Sequence, residues 1–164
     1  MKVILIAAVS ADGYIAKTSN HPADWTSKED KKLFVELTKK AGAMVMGRNT
    51  YETIGKALPG RLNIVYTSKP LDDPGVEATQ EPPDELLNRL EKDGYDMLAV
   101  CGGRAVYDLF LKNNLIDELY ITIEPKLFGS GISLAKTLSE TELELIESKK
   151  LNDDTLNLHY KVVK

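Results

Sequence analysis

Asp30 is a carboxylate placed where a proton donor would stand. It precedes Leu33, Phe34 and Leu37 by three, four and seven residues. On a 3.6-residue period that puts it in the middle of their apolar stripe, whereas Glu29 points about 100° away. Desolvation raises the pKa of a carboxyl group that faces an interior, so that it can hold a proton near neutral pH. The same residues have a second reading. Thr26 with Glu29, and Ser27 with Asp30, each fit a capping box, in which the carboxylate is occupied by backbone N–H groups at a helix start. The residue pattern admits both.

A second set of residues could hold an anion. Gly47-Arg48-Asn49-Thr50 follows the apolar run Ala43–Met46 and opens a helical segment. Free N–H groups and the helix dipole favour negative charge at such a junction, and Arg48 adds a full positive charge. An ordinary capped strand–helix junction would look the same over so short a fragment. The pair Gly102-Gly103, followed by Arg104 and Ala105, repeats the arrangement after the apolar run Asp96–Cys101. Here the glycines let a ligand approach the backbone closely. Thr67-Ser68-Lys69 ends another strand with two hydroxyls and a cation, which would suit a phosphate or simply begin a loop. The six-residue GxGxxG fingerprint of dinucleotide sites does not occur in the chain.

The elements needed to position these groups are legible in order. Lys2–Val9 reads as a strand buried on both faces, and Ala11-Asp12-Gly13 as a turn into Tyr14–Ala16. The polar stretch from Lys17 to Asp24 is a loop beside a site, closed by Trp25 as a core anchor or a ligand wall. A helix runs from the Thr26–Asp30 segment to about Lys40. Strands follow at Ala43–Met46, Leu62–Tyr66, Gly75–Thr79 and Asp96–Cys101, with helices at Pro82–Lys92 and Arg104–Lys112. Leu119–Glu124 alternates as a strand, Pro125–Ser133 is a Gly-rich loop, and Glu142–Lys149 with Leu156–Val163 forms a closing hairpin. Alternating strands and helices that end in strands predict a mostly parallel α/β sheet with an antiparallel C-terminal edge. The Gly47 and Gly102 junctions are then expected side by side at the carboxyl ends of their strands, where open α/β sheets bind ligands.

Composition bounds the rest. A chain of 164 residues is read as one domain, 1–164. A net charge of −4 argues against nucleic-acid binding. The apolar run at the start is too short to span a membrane, and a single cysteine, Cys101, fits a reducing cytoplasm. Two histidines and one cysteine make no structural zinc pattern, so no metal is expected.

The chain resembles the dihydrofolate reductase superfamily. The resemblance rests on the whole string from Met46 to Val65. It extends in order through Ile6–Ala8, Trp25 with Asp30 and Phe34, Cys101–Gly103 through Tyr107, and Leu119–Thr122. It implies an eight-stranded mixed sheet flanked by about four helices, and NADPH as cofactor. By that resemblance Asp30 supports protonation of a pterin. Ala8, Phe34 and Ile54 contact the substrate, Arg61 grips a carboxylate tail, and Thr122 links the carboxylate to the pterin. Gly47, Arg48, Asn49, Thr50, Thr67, Ser68 and Lys69 hold the adenosine phosphates. Gly102, Gly103, Arg104 and Ala105, with Tyr107, belong to the pyrophosphate side, and Ala8 and Ile15 flank the nicotinamide.

Departures point to a sister branch. Asp24 stands where that family's proline precedes the tryptophan, and Pro125–Leu134 replaces its late acidic segment. That Gly-rich loop, with Ser10–Ala16 and Trp25–Asp30, looks more like the pyrimidine reductases of riboflavin biosynthesis. These share fold and cofactor, act on a phosphoribosylaminouracil, and are often homodimers where dihydrofolate reductases are usually monomers. Their sugar phosphate would need a basic pocket near Lys126 or Lys17. The substrate-side matches favour dihydrofolate, the pyrimidine is the alternative, and a non-catalytic NADPH-binding module is the third reading.

Overall fold

The first apolar run forms strand β1 (Lys2–Ser10), in which Val3 to Ala7 are buried. Successive side chains point to opposite faces of a sheet. Val3, Leu5 and Ala7 accordingly join one core cluster, and Ile4 and Ile6 another. A strand covered on both faces shows no polar alternation, which explains the continuous run. The structure, a computed structural model, describes residues 1–164 except for the side chain of Ala23.

The remaining strands are β2 (Tyr14–Ala16), β3 (Ala43–Gly47), β4 (Leu62–Tyr66), β5 (Val76–Thr79), β6 (Met97–Val100), β7 (Glu118–Glu124), β8 (Ile132–Ser133), β9 (Leu143–Lys150) and β10 (Leu156–Val162). Eight of them form one sheet in the order β5-β4-β3-β6-β1-β7-β10-β9. Every pairing from β5 to β7 is parallel, and only β10 runs against its neighbours. This is the mixed, mostly parallel sheet expected, with its antiparallel edge formed by the final hairpin.

Four helices cover the sheet: α1 (Lys28–Ala41), α2 (Arg48–Ile54), α3 (Pro83–Lys92) and α4 (Arg104–Lys112). Leu37 and Ala41 of α1 and Tyr51 of α2 pack on the Ile4 and Ile6 side. Leu86 and Leu90 of α3, with Val106 and Phe110 of α4, pack on the other. Each buried Leu, Val or Phe among them contributes about 1.5–3 kcal/mol relative to exposure. None of these helices, among the described residues, is long and apolar enough to cross a membrane.

Two features differ from expectation. The Gly-rich loop contains a short strand, β8, that pairs antiparallel with β2 as a separate two-stranded ribbon. The ribbon is so close at Gly131 that a Cβ there would fall 2.4 Å from the Ala16 carbonyl oxygen. Strand β9 alternates in sequence, yet every one of its residues is exposed, including Leu145 at 53 % and Ile146 at 50 %. It is the outermost strand, and no helix lies against it, so alternation there marks a strand without marking a buried face.

Candidate functional site

The two glycine junctions meet because β3 and β6 are neighbours in the sheet. The Gly47 N–H donates to the Gly102 carbonyl at 2.7 Å. A Cβ on Gly103 would lie 3.3 Å from the Thr50 hydroxyl. Neither α2 nor α4 has a side-chain cap: Gly47 and Gly103 occupy the capping positions. Backbone N–H groups at the start of each helix are therefore left for another acceptor. The peptide between Gly102 and Gly103 is cis.

A cavity of about 800 Å3 opens over these junctions. It gathers Gly47, Arg48, Asn49 and Thr50 from one junction and Gly102, Gly103, Arg104 and Ala105 from the other. Ala8, Ile15 and Tyr107 also line it, as do Asp30, Phe34 and Ile54. Trp25 is part of the wall, packed edge-on against Phe128 with ring centroids 4.9 Å apart. Tyr107 is buried, and its hydroxyl donates to the Ile6 carbonyl at 2.6 Å. Burial pushes its pKa well up.

Other candidate residues stand outside the lining. Thr67 and Lys69 lie beside the mouth, where Arg48 Nη1 donates to the Thr67 hydroxyl at 3.2 Å and to the Lys69 carbonyl at 3.5 Å. Ser68 between them is exposed. Arg48 also pairs with Glu52 at 2.9 Å. Arg61 donates to the Pro59 carbonyl and does not line the cavity, although Leu58 of the same turn does. Its Nε is enclosed and has no partner among the described residues. Neither Lys17 nor Lys126 lines the cavity: Lys17 lies over the Phe128 ring, and Lys126 donates to the Trp25 carbonyl at 2.8 Å. The lysine that does line it is Lys31, next to Asp30.

Asp30 is 8 % exposed and is the one acidic side chain among the described lining residues. Burial raises its pKa, partly offset by the Thr122 and Thr26 hydroxyls beside it, while the nearby charge of Glu124 raises it further. Thr122 is itself buried and accepts from Asn157 Nδ2 at 3.0 Å. That bond occupies its oxygen as acceptor and leaves its hydroxyl hydrogen for the carboxylate.

The helix cap resolves the two readings of Asp30. The Asp30 backbone N–H donates to Ser27 Oγ at 3.2 Å, so Ser27 is the cap. The return half of the box is absent from Asp30. The Ser27 N–H donates instead to Glu124 Oε1 at 2.9 Å, and the Ser27 hydroxyl to the same oxygen at 2.8 Å. Glu124 was not among the candidates drawn from sequence. Its signal was the strand period of two, which places it on the same face of β7 as Thr122.

Asp12 is a further group that sequence reading passed over. It accepts from the N–H groups of Phe128 at 3.0 Å and Gly129 at 2.7 Å, and from the Ser10 hydroxyl at 2.6 Å. These bonds fasten the Gly-rich loop beside the cavity. They lower the Asp12 pKa from 3.8 to about 2. A lowered carboxylate adds stability that is present above its unfolded value and lost as pH falls through its folded one. Protection of the Phe128 and Gly129 amides from hydrogen exchange is therefore expected to fall between about pH 4 and about pH 2, and Asp12→Ala should abolish it at neutral pH.

Comparison with known proteins agrees with this architecture. A family model described as dihydrofolate reductase matches residues 2–164. A Caenorhabditis elegans protein assigned to the dihydrofolate reductases is 32% identical over 167 residues, covering 93% of this chain and 87% of its own. Among solved structures, a Shewanella protein assigned to riboflavin biosynthesis superposes with a TM-score of 0.82 at 26% identity, over 100% of both chains. Dihydrofolate reductase from Enterococcus faecalis, complexed with NADP(H), superposes with a TM-score of 0.74 at 25% identity, over 99% of this chain and 97% of that one. With its sheet order and its paired glycine junctions, the chain belongs to the dihydrofolate reductase family.

Proposed function

We propose that the chain is an NADPH-dependent reductase that converts 7,8-dihydrofolate to tetrahydrofolate. The observation that carries this reading is Asp30, a buried carboxyl group that is the one acid among the described residues of the cavity wall. The glycine junctions fit the cofactor: two uncapped helix starts and a Gly-Gly approach offer N–H groups to a pyrophosphate. When bound, NADPH supplies the hydride. Gly47 to Thr50, with Thr67, Ser68 and Lys69, hold the adenosine phosphates, and the charge of Arg48 and Lys69 favours the 2′-phosphate. Gly102 to Ala105 and Tyr107 serve the pyrophosphate side, and Ala8 and Ile15 flank the nicotinamide. Phe34 and Ile54 orient the pterin, and Asp30, steadied by Thr122, supports the proton that reaches N5.

Arg61 takes the carboxylate tail in this reading, which would give its enclosed Nε a partner. A hydrogen bond to a charged group contributes about 1.5–3 kcal/mol. Arg61→Ala is therefore expected to raise KM for dihydrofolate about tenfold or more with kcat unchanged.

A second reading, reduction of a phosphoribosylaminouracil, is favoured by the side chain of Arg61 lying outside the cavity while Lys31 lines it. Lys31 would then meet the sugar phosphate. Loss of NADPH absorbance, followed with each substrate in parallel, separates the two. Turnover of the pyrimidine alone would reject dihydrofolate, and turnover of neither would leave a cofactor-binding module.

A further inference from the structure

Glu124 is a carboxylate at the end of β7 with only 2 % of its surface exposed, and the cavity does not use it. Its partners are all internal. Ser27 gives it an N–H and a hydroxyl, and the Thr155 hydroxyl donates to Oε2 at 3.4 Å. Two residues earlier on the same face, Thr122 stands beside Asp30 and accepts from Asn157. Asn157 lies opposite Thr122 in the β7–β10 ladder, and Thr155 directly precedes β10. One face of β7 thus holds the start of α1 through Ser27 and sets Thr122 beside Asp30, and residues at and before the neighbouring strand β10 brace both.

In an ordinary capping box the carboxylate three residues after the cap reaches back to the cap's own N–H. Here that carboxylate would be Asp30, and the N–H it would take is already bonded to Glu124. We propose that Glu124 is a positioning residue: by occupying the Ser27 N–H, it keeps the Asp30 carboxylate turned into the cavity. The inference rests on Asp30 acting in proton delivery as far as turnover is concerned, but the orientation itself does not depend on which substrate is reduced.

The groups that face Asp30 give the variants distinct signatures. They are Glu124 and Thr122 on β7, Thr26 before α1, Lys31 on α1 itself and the buried Tyr107 of α4. Glu124→Gln keeps an acceptor for Ser27 and removes the charge. Glu124→Leu removes both and frees the Ser27 N–H for Asp30. A carboxylate that accepts a backbone N–H titrates lower, and so does one relieved of a neighbouring negative charge.

The test is the titration of Asp30 followed by carboxyl carbon NMR, with dihydrofolate turnover measured beside it. In Glu124→Leu the Asp30 midpoint should move to lower pH than in Glu124→Gln, and turnover should fall at least tenfold. The same substitution made in an Asp30→Asn background should cost less than twofold, because the two act as one unit. Glu124→Gln should keep turnover within about threefold while the midpoint still moves down. A midpoint that moves no further in the Leu variant than in the Gln variant, which keeps the cap and so the fold, overturns the proposal, because the freed Ser27 N–H has then not drawn Asp30 back. So does a full additional loss in the double variant, which would mark Glu124 as a stability residue only. Absence of dihydrofolate turnover with a shifted midpoint would reject the substrate and leave the role of Glu124 standing.

Discussion

Asp30→Asn is expected to slow dihydrofolate reduction by about 10²–10³-fold at neutral pH, within the range that positioned acid–base groups contribute. The loss should shrink as pH falls, because solution protons then replace the missing carboxyl group. It should be greatest above neutrality. A pH profile of kcat for both forms checks the direction. The same substitution should raise thermal stability at neutral pH. The Asp30 pKa is raised in the folded state. A raised group contributes stability below its unfolded pKa and loses it as pH rises through the folded value. Above its unfolded value the native protein bears the cost of keeping this carboxyl group in an apolar wall, and asparagine, which does not ionise, removes that cost. A variant that is slower and melts higher is the signature of a group kept for chemistry. A variant that is slower and melts lower would mean that the carboxylate mainly holds α1 in place.

The second large effect is expected at Gly102. Its φ of +104° lies where side chains are strained, and a Cβ there would sit 3.1 Å from the Tyr107 hydroxyl. That hydroxyl cannot move without weakening its bond to the Ile6 carbonyl. Backbone strain of about 1–3 kcal/mol adds to a disturbed buried hydrogen bond of about 1–3 kcal/mol. Gly102→Ala should therefore destabilise the protein by about 2–6 kcal/mol in denaturant unfolding. Because the displaced atoms line the cavity, NADPH affinity should drop as well, whichever substrate the enzyme reduces. A variant of normal stability that binds NADPH normally would show that the junction relaxes freely.

Much of this was legible before any coordinates. The continuous apolar run of β1 and the cap signal at Ser27 of α1 each act locally, so those elements stand where sequence placed them. The adjacency of the glycine junctions was also readable, because parallel neighbours in such a sheet bring their carboxyl ends together. What was not legible depends on contacts far apart in the chain. The Ser27–Glu124 bond spans 97 positions, and the Asp12–Phe128 bond spans 116. No local pattern announces which of two carboxylates will close a capping box. Arg61 shows the converse. Its place in a string can suggest a carboxylate clamp, yet which way a long side chain turns is set by its surroundings, and it turns to Pro59.

The cavity is built in two different materials. Its cofactor side rests on main chain at Gly102 and Gly103, where a Cβ would crowd the Tyr107 and Thr50 hydroxyls. Its other side is made of side chains from α1 and the turn of Leu58, each replaceable without moving the sheet. Mutation therefore bears unevenly on the two sides. Almost any change at the glycines is a loss, whereas changes at Lys31, Phe34 or Val35 alter only what fits. A fold divided in this way can pass from one oxidised heterocycle to another over its descent while its reductant stays the same.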